Sequence, residues 1–570
     1  MNRTIIYRAN DHRLAQYCKS CTVWLVLLSA VYFFFMAETR AEITLEQQVK
    51  ITDLGLHFDG EKVTSSAQTS DTPTYDYFFG PNISAHGDSV KAYKNYVFMT
   101  WYRGGKFDRR VMLSRYNLDT GSLQTIEFPH QHTGFNNIWW IGESHNTIAV
   151  GISPVDESIH LLYDMHAYGN HRPADGSLSN DYFRYSFSVA GAATVVDSEF
   201  KLSQFVKDTS IVSEGVNDYK HLALTGDEDH SQYSGLTYPK FFTNTDGTLL
   251  MYMRKGGNDN GGYVFSRYDA GTKSWSEFNQ FNVINAKNYG QPYNWGLYGN
   301  MKYVNGKLRV GFQRRSGNKE DKYQYQNGFY YAYSDHPEGA SDWQTHDGQP
   351  MTFPLQNADD IKISEPGDLV SATGKDQVYI VHGFDWNVTA QGDVHFIGKV
   401  KDTAANQTVY MHTYKPAGAE EFITATDFAG ADKLYTAGDN LYIIGLTSSG
   451  YPYVEKAAGG TNDFTRVFEL KDGPSFHHGS VYIESGKLYY YLMERGAGNA
   501  LPLYLLIIDL DIDTDSSSQN DSDVATDGSN TDTSTQESSV KDGRGSGAGI
   551  HFSLLMLLFC TVMMRRKIDL

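Results

Sequence analysis

Two imidazoles that face one substrate can move a proton in either direction, and residues 137–169 (NIWWIGESHNTIAVGISPVDESIHLLYDMHAYG) carry the means to place such a pair. If TIAVGI (147–152) and IHLLYDM (159–165) are antiparallel strands joined by the turn SPVDES, Ile152 faces Ile159, Val150 faces Leu161 and Ile148 faces Tyr163. One face of that hairpin is wholly apolar. The other carries Thr147, Ala149, Gly151, His160, Leu162 and Asp164, so alternation supports this register or one slipped by two. Continuing the ladder puts His145 opposite His166, with Cβ atoms roughly 4.5–5.5 Å apart. Taken alone, the same two residues read equally as surface histidines at a strand end.

A second constellation lies in YPKFFTNTDGTLLMYMR (238–254), which reads as a hairpin whose loop is Thr245, Asp246 and a left-handed Gly247. In that register Asn244 faces Thr248 and Tyr238 faces Arg254. Phe241, Leu249, Met251 and Met253 share the buried face, leaving Tyr238, Lys240 and Arg254 on the other. Pro239 has no amide hydrogen for a ladder, so the first strand is expected at a sheet edge. An arginine pairs bidentately with a carboxylate, neutralises it and so acidifies the carbon beside it. The proton on that carbon then passes to a histidine or a tyrosine phenolate, and the departing oxygen takes one from the other group. That is β-elimination on a uronic acid. Glycoside hydrolysis needs two carboxylates, and no such pair stands out beside these residues.

The elements that must hold these groups are β-strands. The 570 residues include 40 Tyr, 31 Phe and 53 Gly, and no helical period of comparable length appears. From about residue 75 to 510 an alternating strand, a Gly, Asn or Asp turn and a second strand recur every fifty to sixty residues. VKAYKNYVFMTWYRG, GLYGNMKYVNGKLRVGFQRR, DKLYTAGDNLYIIGL and SVYIESGKLYYYLMERG are examples. Units at that spacing predict an all-β, seven-bladed β-propeller over residues 42–511, with the regular spacing favouring it over a β-sandwich array. The formal charge of −19 argues against nucleic acid as a partner and requires a local basic cluster for any anionic substrate. The three cysteines, Cys18, Cys21 and Cys560, lie in the terminal segments, so the body can hold no disulfide and no cysteine-ligated metal.

Residues 1–41 pair a basic stretch with the apolar run TVWLVLLSAVYFFFMA and read as a signal peptide cleaved near Ala37 or Ala41, with an uncleaved anchor as the alternative. Residues 512–545 are an acidic Ser/Thr/Asp-rich linker that cannot bury enough surface to fold. Residues 546–570 combine small residues, an apolar run and Arg565, Arg566 and Lys567, the pattern of a C-terminal sorting tail of Gram-negative surface proteins or of a permanent anchor. The protein is therefore expected to be secreted or held at the cell surface of a Gram-negative bacterium, with the tail as its means of attachment.

SHNTIAVGIS and IHLLYDMHAYG followed by TYPKFF and LLMYMRKGG resemble the ulvan lyases of polysaccharide lyase family 24, propellers with BNR-type repeats related to family 25. The resemblance covers roughly residues 45–500. It implies that His145 and His166 act in proton transfer, that Tyr238 lies at the catalytic centre and that Arg254 neutralises the substrate carboxylate. The roles of base and acid among His145, His166 and Tyr238 stay open. It also implies that Tyr293 and Arg315 hold the sugar or its sulfate, with Arg314 able to stand in for Arg315. The substrate implied is ulvan, cleaved endolytically between rhamnose 3-sulfate and uronic acid to leave 4,5-unsaturated uronyl ends. No cofactor is needed for that chemistry. A structural calcium is implied, for which GDEDH (226–230) offers acidic side chains, and zinc sites of relatives are put in doubt by the cysteine-free body.

Two other function classes compete. A non-catalytic polysaccharide-binding propeller would not need His145, His166, Tyr238 and Arg254 together. A sialidase-like hydrolase would need the Asp-box spacing, from which SRYDAGTKSW departs.

Overall fold

The computed structural model describes residues 43–63, 73–135, 138–166, 183–210, 213, 215–224, 230–323, 326–380 and 382–512. The expected signal peptide and C-terminal tail, nearly all of the linker, and most of GDEDH lie outside them.

Among the described residues seven sheets follow one another along the chain as the blades of the expected seven-bladed propeller, and a short parallel pair, Asp76–Tyr77 with Ile141–Gly142, forms an eighth. Blade 1 begins with Val90–Tyr93, blade 2 with Ile148–Ile152, blade 3 with Leu236–Thr243 and blade 4 with Trp295–Val304. Asp385–Val388 lies at the inner edge of blade 5, Tyr435–Ala437 begins blade 6 and Phe476–Glu484 begins blade 7. The ring is closed by the two ends of the body. Thr44–Leu56 pairs antiparallel with Ala500–Asp509, from Thr44 opposite Asp509 to Leu56 opposite Ala500, and so completes blade 7. This covers an edge that would otherwise be open to association.

The middle strands of blades 1–4, such as Tyr96–Tyr102, Leu249–Gly257 and Lys307–Ser316, are buried on both faces over most of their length, because each sheet packs against its neighbours. Ile148–Ile152 and Ile159–Tyr163 are buried at every position, so the hairpin has no solvent face. The contact that sets blade 2 against blade 3 is at Gly151. A Cβ there would lie 2.5 Å from the ring of Phe241, so the absence of a side chain admits the aromatic ring. Phe241 is also tied to blade 1, since its amide donates to Asp88 Oδ2 at 2.8 Å. The blades that carry the two constellations are thereby held in fixed relation.

Candidate active site

The first hairpin pairs Ile152 with Ile159, Val150 with Leu161 and Ile148 with Tyr163, the register expected from its alternation. Beyond that pair Asp164 donates its amide to Thr147 O at 2.8 Å, and His166 donates its amide to the Asn146 side chain at 2.8 Å. His145 and His166 therefore meet at the open end, with ring centroids 4.5 Å apart. Phe79, from the segment ahead of blade 1, walls both rings edge-on at 4.5 and 5.2 Å.

Beneath the pair lies Glu143, 1 % exposed, which the pattern of the sequence did not single out. Its Oε1 lies 2.7 Å from His145 Nδ1 and its Oε2 3.4 Å from His166 Nδ1. Burial works to raise its pKa, but the hydrogen bonds from His145 and His166 prevail and hold the carboxyl at about 2. An ionised carboxylate only accepts, so His145 presents Nδ1–H to it and turns Nε2 away, while His166 Nδ1 faces the second oxygen from farther off. Glu143 is itself held from below: His132 Nδ1 accepts from the Gly134 amide, so its Nε2–H donates to Glu143 O at 2.9 Å. The one local signal for Glu143 is its place two residues before a candidate histidine.

The second hairpin departs from its expected register. Asn244 meets Thr248, and the pairing holds as far as Lys240 with Tyr252, but Arg254 then faces Thr237 rather than Tyr238. One extra residue is accommodated at Tyr238–Pro239, a β-bulge on the inner edge strand where a proline cannot donate to a ladder. Tyr238 takes φ 57°, left-handed and costly for a residue with a bulky side chain. The bulge aims its ring at the histidines, 5.7 Å from His145 and 5.8 Å from His166. Burial, aided by the nearby Asp164 and Tyr298, pushes the phenol well above its usual range, so it stays protonated. Asp164, buried and accepting from Thr237 Oγ1 at 2.8 Å, is pushed up to about 6 by burial.

Arg254 is 3 % exposed, and four of its five N–H groups are taken by main-chain carbonyls. Nε donates to Leu297 O, Nη1 to Gly256 O, and Nη2 to Gly257 O and Asn258 O. One Nη1 hydrogen is left, so the bidentate clamp expected of this guanidinium is not available. Tyr298, also missed in the sequence, lies between two arginines, with Arg254 Cζ 4.4 Å and Arg315 Cζ 5.0 Å from its ring. Arg314 points elsewhere, to Asn327 and Asp359. Of the two neighbours it is therefore Arg315 that shares the Tyr298 cluster with Arg254.

A model of the BNR repeat-containing family matches residues 96–425. An ulvan lyase, long isoform, of Pseudoalteromonas sp. (strain PLSV) is 63 % identical over 475 residues, covering 82 % of this chain and 47 % of that protein. An ulvan lyase, short isoform, of Alteromonas sp. (strain LOR) is 56 % identical over 475 residues, covering 82 % of this chain and 90 % of that protein. The chain belongs to the ulvan lyase family. It spans about half the length of the long-isoform relatives it matches. A crystal structure of the polysaccharide lyase Uly1 superposes with a TM-score of 0.80 at 54 % identity, over 82 % of this chain and all of the other.

In this member of the ulvan lyase family Tyr293 stacks against Arg314, 5.8 Å from its Cζ, rather than against Arg315. The two residues line adjoining cavities of about 360 and 350 Å³ that share Asp259, Asn318 and Lys319, a groove leading away from the Arg254–Tyr298 cluster. The ligand-capable atoms of Glu143, His145 and His166 lie within 4.8 Å of one another. Two nitrogens and one carboxylate oxygen are not the oxygen-rich set that calcium takes, and the 2.7 Å Nδ1–Oε1 separation is a hydrogen-bond length.

Proposed function

We propose that this protein is an endolytic polysaccharide lyase that cleaves ulvan at rhamnose 3-sulfate to uronic acid linkages by β-elimination. The observation that carries the reading is the carboxylate shared by two histidines beneath a protonated tyrosine. With Nδ1–H of His145 committed to Glu143 and His166 beside it, an Nε2 lone pair is the base that removes the proton from C5 of the uronic acid. Tyr238 is the acid: its O–H is the proton source for the bridging oxygen as the C4–O bond breaks and the C4=C5 bond forms. No water is added. Arg254 and Arg315, either side of Tyr298, supply positive charge to the substrate carboxylate, Arg315 by contact and Arg254 chiefly as a fixed buried charge. Tyr293 and Arg315 border the groove along which the sulfated chain continues.

A hydrolase on the same scaffold is disfavoured by the placement of the carboxylates. Glu143 and Asp164 are both near, but each is sealed behind the histidines and Tyr238, so neither reaches a glycosidic oxygen or a water on the substrate. The apolar N-terminal run and the C-terminal tail support secretion or display at the cell surface, where a polymer of this size would be met.

The test is ultraviolet absorbance on mixing the purified protein with ulvan. A lyase produces a conjugated unsaturated uronide that absorbs strongly. Reducing ends without that absorbance would replace the proposal by a hydrolase, and binding without either would leave a lectin.

A further inference from the structure

The inner strands run side by side from the catalytic end of the propeller, where His145 and Tyr238 lie, down a central channel. Further down that channel Lys240 and Lys302 join one hydrogen-bonded network around Asp385, and Lys433 sits next in sequence to a residue of the same network. Lys240 on blade 3 donates to Asn300 Oδ1 at 2.7 Å, and Asn300 donates to Asp385 Oδ1 at 3.1 Å. Lys302 on blade 4 lies 3.0 Å from the same Asp385 oxygen. Lys433 stands two residues ahead of blade 6, and the amide of the next residue, Leu434, donates to Asp385 Oδ2 at 3.1 Å.

Among the described residues Asp385 is the only carboxylate hydrogen-bonded within this group, and its acceptor capacity is used. Besides Lys302, Asn300 and Leu434 it accepts from the Trp386 amide at 2.9 Å. Asp88, the next acidic group along the channel, is committed to Lys91 at 2.7 Å and to the Phe241 amide. Asp432 carries its carboxylate to the turn at Gly383. Lys433 makes no hydrogen bond or ion pair with any described residue. Its side chain is open to water although Leu434 beside it is fully buried. Burial holds Lys302 at about 8 even though Asp385 pulls the other way. Lys302 pairs with Asp385, while Lys240 meets the neutral Asn300 and Lys433 meets no described acceptor, so in a chain whose formal charge is −19 this group keeps a local excess of positive charge.

We propose that the central channel binds a small tetrahedral oxyanion, sulfate or phosphate, between Lys240, Lys302 and Lys433. Such an ion accepts hydrogen bonds in several directions at once and suits ammonium groups arriving from different blades. The site is built from residues that the proposed elimination does not use. A free inorganic ion and a sulfate ester on a sugar share the recognised chemistry.

The experiment is thermal unfolding of the full chain titrated with sodium sulfate, against sodium chloride at matched ionic strength, for the wild type and for Lys433→Met and Lys433→Arg. The expected result is a saturable rise in Tm with sulfate but not chloride, kept in Lys433→Arg and shifted to about tenfold higher concentration in Lys433→Met. In anion-free buffer Lys433→Met is expected to melt at or above the wild type, because a repulsive charge is gone. Lys240→Met supplies the same comparison from the other side of the channel. A parallel titration with rhamnose 3-sulfate separates the sources: a response to the inorganic ion alone assigns the site to a solute, and a response to both assigns it to sulfate esters as well. A linear, non-saturating rise that is equal in wild type and Lys433→Met is general salting and overturns the proposal.

Discussion

Glu143 and His145 are joined at 2.7 Å across one intervening residue, and the other oxygen of the same carboxylate faces His166 at 3.4 Å. Two imidazoles thus face one carboxylate, and the shorter contact fixes the tautomer of His145. Glu143→Gln keeps the shape but must donate through its amide nitrogen, so one ring loses its orientation and its free Nε2. The expected outcome is an unchanged circular dichroism spectrum and ulvan affinity with kcat lower by roughly 10²-fold. Turnover within a factor of two of wild type would remove Glu143 from the positioning role.

Replacing His145 or His166 by Ala is expected to cost roughly 10²- to 10⁴-fold in kcat and far less in binding, with the double variant little worse than the poorer single one. Tyr238→Phe removes only the proton that the acid supplies and is expected to fall in the same range with the bulge intact. Normal turnover at saturation in Tyr238→Phe would mean that the leaving oxygen takes its proton elsewhere.

Arg254 and Arg315 are expected to separate by stability. Arg254→Lys leaves several main-chain carbonyls without their donor, and a loss of roughly 2–4 kcal/mol in unfolding free energy is expected together with the loss of activity. Arg315→Lys, at a half-buried position, should raise KM with little change in Tm. Equal melting of wild type and Arg254→Lys would show that the carbonyls around it do not need the guanidinium.

Acid should weaken the fold through blade 5. His395 and His412 are buried and linked at 2.9 Å, Gly460 donates to His395 and His412 donates to Asn462. Burial lowers them to about 2 and about 4. The unfolded chain titrates these rings near 6.5, so it takes up protons that the folded state refuses. Their contribution is complete above that pH and is lost progressively as pH falls below it toward 4. Melting temperature measured from pH 8 to 4 should decline through that window, and the His395→Gln/His412→Gln variant should melt lower at pH 8 but with a flatter slope.

Closure of the ring is expected to be essential. Deleting residues 43–56 exposes the whole edge of Ala500–Asp509, and the protein should lose its cooperative melting transition or aggregate. Retention of the wild-type Tm in soluble protein would mean that blade 7 stands without its outer strand.

Much of this was legible in the chain because it is local. Period-two alternation in 148–152 and 159–163 determined the register that brings His145 to His166, and the repeated strand–turn–strand theme determined the propeller, since side-chain period and turn chemistry act over neighbouring residues. Hairpin alternation singled out Tyr238 and Arg254 but put them opposite each other. Only the folded sheet shows that Pro239 forces a bulge, that Tyr238 turns to the histidines and that Arg254 is surrounded by carbonyls. Glu143 lacks a periodic signature, and its meaning depends on a turn that returns its carboxylate to both rings. The lysines of the channel come from blades sixty to two hundred residues apart, and nothing in a linear pattern reports that convergence. Local rules decide which way a side chain points along its own strand. Which charges then share one space is decided by packing one blade against the next.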